Sequence, residues 1–267
     1  MLTYFMTVVA RQNKSDLVLL AICLFFSLAL ALWWLLDHTY PQWDAANHTK
    51  AAVHYASLIK HAHVFSAAWY REFSSVDYQY PLVVNLINGF LKVIFGVTRF
   101  SEVLAYVFYQ LILIISVYGL GQVLLKDRLN AALAAIFINF YPLVSSLSHV
   151  QLLDYGSLCF NALAIYGIAC WLEKPGKREV LLMTVGVALA ANCKQISAFF
   201  VIVPCLLLLG HFVLERVYKR SIDLVITGGT TALLLALWVV PNFGRLRAAQ
   251  VVSNAECLKE SSYLSVC

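Results

Sequence analysis

Residues 17–36 read LVLLAICLFFSLALALWWLL, a run without one charged side chain. A helix rises about 1.5 Å per residue, so a run of about 20 residues covers the roughly 30 Å hydrocarbon core of a bilayer. Backbone placed in lipid must satisfy its own hydrogen bonds, which leaves helices or closed barrels. A barrel strand alternates apolar and polar positions, and this run does not. The rest of the chain agrees. It has 267 residues, 61% hydrophobic and 12% charged, where soluble domains carry about 25% charged residues. Mean hydropathy is +0.78. The expected fold class is all-α: a polytopic helical membrane protein.

Six further apolar runs follow: Ser101 to Leu125, Asn130 to Leu147, Leu152 to Leu172, Val180 to Cys193, Ile196 to Leu214, and Ile222 to Val240. About seven transmembrane helices are therefore expected. Pro142 should kink the third run, and Pro241 should close the last. Basic residues fall in alternate loops: Arg11 and Lys14, then Lys126 and Arg128, then Lys174, Lys177 and Arg178, then Arg216, Lys219 and Arg220. By the positive-inside rule this places the N-terminus in the cytoplasm. The net charge of +5 is thus read as a topology signal and not as a nucleic-acid footprint. No internal repeat or inverted pair of halves is evident. The first run is too long for a cleavable signal and lacks a small-residue cleavage site after it. The chain reads as a single module, 1–267, with a first extracytoplasmic loop at 37–100 and an extracytoplasmic tail at 241–267.

That first loop is too long for a turn. It opens with Tyr40-Pro41-Gln42-Trp43-Asp44-Ala45-Ala46-Asn47-His48. Trp43 suits a membrane interface, Pro41 ends the preceding helix, and Asp44 suits the start of a new one. From Asp44 to Lys60, Ala51, Ala52, Tyr55, Leu58 and Ile59 form one stripe, which predicts an interfacial helix. A second, Pro81 to Phe95, opens on proline and ends at Gly96. Three ionisable groups on the outer side stand out: Asp44, Asp154 at the start of the fourth span, and Lys194 at the end of the fifth. Each has a structural explanation, respectively a helix cap, a carboxylate favoured by the helix dipole, and a snorkelling or helix-terminal cation. Together, facing one long loop, they point to a site. His48 lies one turn beyond Asp44 on the same helix face; substrate contact and simple interfacial seating both stay open. Asn47-His48-Thr49 matches a glycosylation sequon and is read as accidental. Cys23, Cys159, Cys170, Cys193 and Cys205 sit in apolar runs as small hydrophobes. Pairing of Cys257 with Cys267 stays open. No metal-ligand spacing appears.

In order, Pro41, Trp43, Asp44 and His48; Tyr80-Pro81-Leu82 opening an amphipathic helix; Asp154; and Ala188 to Lys194 before a proline-containing span resemble the GT-C glycosyltransferases. The likeness is closer to the protein O-mannosyltransferase and aminoarabinose-transferase group of bacterial membrane enzymes, as their N-terminal module, and it covers nearly all of the chain. The resemblance implies an integral membrane enzyme of a bacterial inner membrane. Such an enzyme takes a sugar from a polyprenyl-phosphate carrier and passes it to a glycan, lipid or protein acceptor outside the cytoplasm. It implies Asp44 as general base and Lys194 as the cation at the carrier phosphate. His48, Tyr80 and Asp154 would be further substrate-binding residues. No cofactor is expected beyond that donor substrate. Two departures are visible: Ala45 stands where many of that group carry Glu, and the chain stops at Cys267. They favour a second reading, a non-catalytic or truncated membrane subunit of the same fold. A third, a small transporter, needs a polar path through the bilayer, whereas these polar groups gather on one side.

Overall fold

The computed structural model describes residues 2–264 apart from 40, 42 and 78, with side chains described between 17 and 248. Tyr40 and Gln42 of the loop motif, the side chains of Arg11 and Lys14, and the Cys257–Cys267 question lie outside the described residues. Eleven helices and no strand occur among them. They are α1 (Leu2–Leu36), α2 (Trp43–Lys60), α3 (Ala67–Ser75), α4 (Val83–Phe95), α5 (Arg99–Leu125), α6 (Arg128–Phe140), α7 (Pro142–Ser148), α8 (Leu153–Glu173), α9 (Lys177–Ala191), α10 (Gln195–Leu214) and α11 (Tyr218–Leu264). The protein is a polytopic helical membrane protein.

Five stretches are long and apolar enough to cross a bilayer: Leu17–Leu36, Arg99–Leu125, Leu153–Glu173, Gln195–Leu214 and Tyr218–Ala248. The α6–α7 pair, bent by 64°, brings the number to six. The bend is where Pro142 predicts it. Proline disfavours helical backbone in the residue before it, and Tyr141 is extended at φ −65°, ψ 123°. The expected fifth span, Val180 to Cys193, is α9, which is not among these six. Its 15 residues give only about 22 Å of helix, because Lys177, Arg178 and Glu179 occupy its first turn. It nonetheless runs antiparallel to α8. A methyl group added at Gly167 would sit 2.8 Å from Met183 Cα, and one at Gly186 2.8 Å from Ala164 Cα, so the two backbones all but touch.

Pro241 does not close α11, contrary to the sequence expectation. Proline removes the hydrogen bond from residue 241 to the carbonyl four residues earlier and crowds that carbonyl. That carbonyl, on Leu237, instead accepts the Tyr70 hydroxyl of α3 at 2.9 Å. With the vacated acceptor satisfied, the helix continues to Leu264.

The elements that carry the polar loop residues converge at one end of the bundle. The Trp34 indole donates to the Ser148 carbonyl (3.0 Å), joining the ends of α1 and α7. Arg99, opening α5, donates to the Trp34 carbonyl (2.8 Å) and to the Asp37 carbonyl, taking up acceptors that the end of α1 leaves open. The opposite end holds the Lys126–Glu173 pair and Arg220, which packs over Trp171 and Phe212.

Both helices expected in the first loop form, the second from Val83 rather than from Pro81. α2 buries Ala51, Ala52, Tyr55 and Leu58, four of the five stripe residues; Ile59 is half-buried. Its bed is α4, reached through Gly89. A Cβ there would lie 2.7 Å from Tyr55 Cβ and 2.9 Å from the Ala52 carbonyl oxygen. Gly89→Ala is therefore expected to push α2 off α4 at a cost of about 1–3 kcal/mol. Thermal unfolding in detergent would record a lower midpoint; an unchanged midpoint would contradict this packing. The third loop helix, α3, was not predicted from sequence. Its start is set by Ser66, whose hydroxyl accepts from the Trp69 amide (3.3 Å).

Candidate active site

The first turn of α2 presents Asp44 to solvent. Trp43, before it, is 89% exposed and takes φ +50°, a left-handed conformation that costs a bulky residue energy. The chain enters α2 through this turn, so the Asp44 carboxylate sits at the lip of a cleft of about 350 Å³. Asn47, His48 and His54 from α2, and Asp77, Gln79 and Tyr80 from the segment before α4, line its wall.

His48 is buried, one turn below Asp44. Its ring meets Tyr80 edge-on at 5.5 Å between centroids. Tyr80 is in turn covered by the Lys194 ammonium, 5.8 Å from the ring centroid. Lys194 pairs with Asp154 at 2.8 Å. Asp154 opens α8 and Lys194 follows α9, so their meeting reflects the hairpin those helices form. The pair is partly exposed, with side chains 39% and 27% accessible, and such a bridge adds little stability.

Asp44, His48 and Tyr80 thus share one cleft. Asp154 and Lys194 do not line it; they stand across the Tyr80 ring, joined to each other. Asp77, which sequence reasoning did not single out, joins Asp44, His48 and Tyr80 in the cleft. Its Oδ1 accepts the amides of Gln79 and Tyr80, each at 3.2 Å, and its Oδ2 accepts Asn85 Nδ2 at 2.9 Å. The backbone carbonyl of Asp77 accepts the Trp238 indole of α11 (3.0 Å). An Asp followed by amides two and three residues on is a local turn signal, and that pattern was available in Asp77 to Tyr80. Its contacts with Asn85 and Trp238 were not.

Two further features border the cleft. Behind His48 lies a small, mainly apolar cavity whose lining also includes Thr49, Asn85, Lys92, Glu102, Tyr106 and Gln151. Beyond the α2 N-terminus a second cleft, about 270 Å³, is lined by Ala45, Asp37, Arg99 and His149. Asp37 is held below the usual carboxylate range first by the Thr39 amide and then by the Thr39 hydroxyl. Partial burial lowers His149 below the usual imidazole range. Ala45 faces this second cleft and packing, not Asp44's cleft. The sequon is engaged within the helix, since the Thr49 hydroxyl donates to the Ala45 carbonyl (2.8 Å) and to Gln151. No cluster of three His, Cys, Asp or Glu side chains suited to a metal occurs among the described residues.

The family model described as dolichyl-phosphate-mannose-protein mannosyltransferase matches residues 79–242, more than half of the chain. Tyr80, Asp154 and Lys194 fall inside that match; Asp44, His48 and Asp77 precede it. No curated protein and no solved structure matches the chain. A bundle of membrane-crossing helices, a polar cleft gathered at one of its ends, and this match together establish that the chain belongs to the dolichyl-phosphate-mannose-protein mannosyltransferase family of membrane glycosyltransferases.

Proposed function

We propose that the protein moves a sugar from a polyprenyl-phosphate carrier to an acceptor hydroxyl on the extracytoplasmic face, with Asp44 as general base and inversion at the anomeric carbon. The observation that supports this reading best is the alignment of a carboxylate at the cleft lip with a cation one aromatic ring away, through Asp44, His48, Tyr80 and Lys194. An acceptor hydroxyl attacks well only as its proton is taken, and a carboxylate within hydrogen-bond reach takes it. The departing phosphate carries negative charge, and the Lys194 ammonium meets it as a point charge. Asp154 holds that ammonium in place. A single displacement with one base inverts the sugar. The distribution of basic loops supports an extracytoplasmic setting for this end of the bundle. The module spans the whole chain, with 37–100 as the extracytoplasmic loop that builds the cleft. Its partners are the lipid carrier and a glycan, lipid or protein acceptor, and the donor itself takes the place of a cofactor.

The test is transfer by purified protein in lipid nanodiscs. It is supplied with sugar linked to a polyprenyl phosphate or to a nucleotide. Transfer from the lipid-linked donor alone, with inverted product, is the expected result. Transfer from the nucleotide donor, or a retained configuration, would overturn the reading; so would no transfer from either. Lys194→Met is expected to raise the donor KM by about 10- to 100-fold, the size of one charge-assisted hydrogen bond. The fold should hold, because its bridge to Asp154 is partly exposed. An unchanged donor KM would remove Lys194 from the site.

A further inference from the structure

His48 carries an unpaired atom that needs an explanation. Its Nδ1 is buried and has no hydrogen-bond partner among the described residues, although buried polar atoms are rarely left so. The atom it faces is Asp77 Oδ2, 3.7 Å away, inside ion-pair range but beyond a hydrogen bond. Both side chains are nearly closed off, 10% and 13% accessible. An ionised carboxylate offers about four acceptor positions. In Asp77 two are taken by the Gln79 and Tyr80 amides and one by Asn85. The remaining one lies on the oxygen nearest His48 Nδ1. Closing the gap to a normal length of about 2.9 Å takes less than 1 Å of movement. Catalytic hydrogen bonds are commonly long in the empty state and tighten on binding.

We propose that Asp77 is a positioning residue for His48. It holds Nδ1 protonated and leaves Nε2 bare, so that His48 accepts a hydrogen bond from a substrate hydroxyl at the cleft wall. The tautomer of an imidazole is set by the bond its other nitrogen makes. A bare Nε2 one helical turn below Asp44 gives a hydroxyl-rich substrate, a sugar or its acceptor, a second point of attachment beside the base. The substrate part of this inference rests on the function proposed above; the tautomer part does not. Other groups face the same ring. Tyr80, from the segment before α4, meets it edge-on; Asp44, Lys50 and His54 of its own helix line the same cleft, and Lys92 and Glu102 line the small cavity behind it. Tyr55 offers a second unpaired buried hydroxyl. Burial and then the charge of Asp77 push its pKa up, so it stays a neutral donor and is the rival to His48 that the experiment has to separate.

The experiment is nitrogen NMR of 15N-histidine-labelled protein in nanodiscs near pH 8, above the usual imidazole range. The His48 signals are identified by their loss in His48→Gln. The expected wild-type form carries hydrogen on Nδ1, with Nε2 bare. Asp77→Asn should shift the tautomer mixture, and Tyr55→Phe should not. Hydrogen on Nε2 in the wild type overturns the proposal, as does a mixture unmoved by Asp77→Asn or one set by Tyr55. The wild-type spectrum decides the tautomer even if Asp77→Asn fails to fold. In the transfer assay, His48→Ala is expected to raise KM by about tenfold, one hydrogen bond's worth, with kcat less affected. His48→Gln, which keeps an acceptor oxygen, should recover part of that loss. Equal KM for wild type and His48→Ala overturns the substrate contact. A wild-type protein that transfers nothing, yet shows hydrogen on Nδ1 responding to Asp77→Asn, would refute the function and the substrate contact and uphold the pair.

Discussion

Asp44→Asn is expected to lower sugar transfer by about 10²–10⁴-fold, the range for removing a general base. The fall should appear in kcat, since Asn keeps the shape and much of the hydrogen bonding of the carboxylate but takes no proton. The fold should be indifferent. Asp44 is exposed in the first turn of α2, makes no ion pair within 4.0 Å among the described residues, and Asn serves as well as Asp at a helix start. Thermal unfolding beside the transfer assay separates the two effects. Transfer at the wild-type rate by a folded variant would remove Asp44 from the chemistry. The Asp77–His48 pair would then be the next proton acceptor to test, as it lies in the same cleft.

The second large effect concerns stability. Lys92 of α4 is buried, its side chain 3% accessible, and its ammonium pairs with Glu102 of α5 at 3.1 Å. Arg99 also touches Glu102, at 3.4 Å. Removing Glu102 strands Lys92 in a closed pocket, whereas removing Lys92 leaves Glu102 with Arg99. Glu102→Gln is thus expected to cost about 3–5 kcal/mol, the penalty for breaking a buried pair from one side. Lys92→Met should cost less, and Lys92→Met with Glu102→Leu should recover much of the loss. Melting midpoints in detergent read this order directly. Equal midpoints for Glu102→Gln and wild type would mean that the ammonium is not held by this carboxylate.

Fold class was legible because lipid imposes a coarse rule: a span must be long and uncharged, and runs such as 17–36 obey it. Helices α2 and α4 were legible for the same kind of reason, an apolar stripe and a proline start. The number of spans was harder. Val180 to Cys193 is apolar enough to suggest a crossing, but its length falls short, and only packing against α8 through Gly167 and Gly186 explains why it is there. Pro241 misled because the carbonyl it frees finds another donor here; that hydroxyl, on Tyr70, is distant in sequence. Within the site, sidedness singled out Asp44, Asp154 and Lys194, and the structure sorts them into a cleft wall and a bridge behind it. The part of Asp77 could not be read, since its partners Asn85, His48 and Trp238 come from three separate elements.

The Tyr70–Leu237 bond has company. Asn242 donates to the Ser74 carbonyl at 2.6 Å, and Trp238 holds the Asp77 carbonyl. Three rivets therefore fasten the middle of α11 to the loop layer, spaced around Pro241, which has no N–H to bond back along the helix. A rod weakened at such a point flexes there first. Any tilt of α11 about Pro241 must pull on the strip from Ser74 to Asp77, and so alter how near that carboxylate comes to the imidazole. The membrane-embedded rod and the floor of the cleft are in this sense one mechanical part.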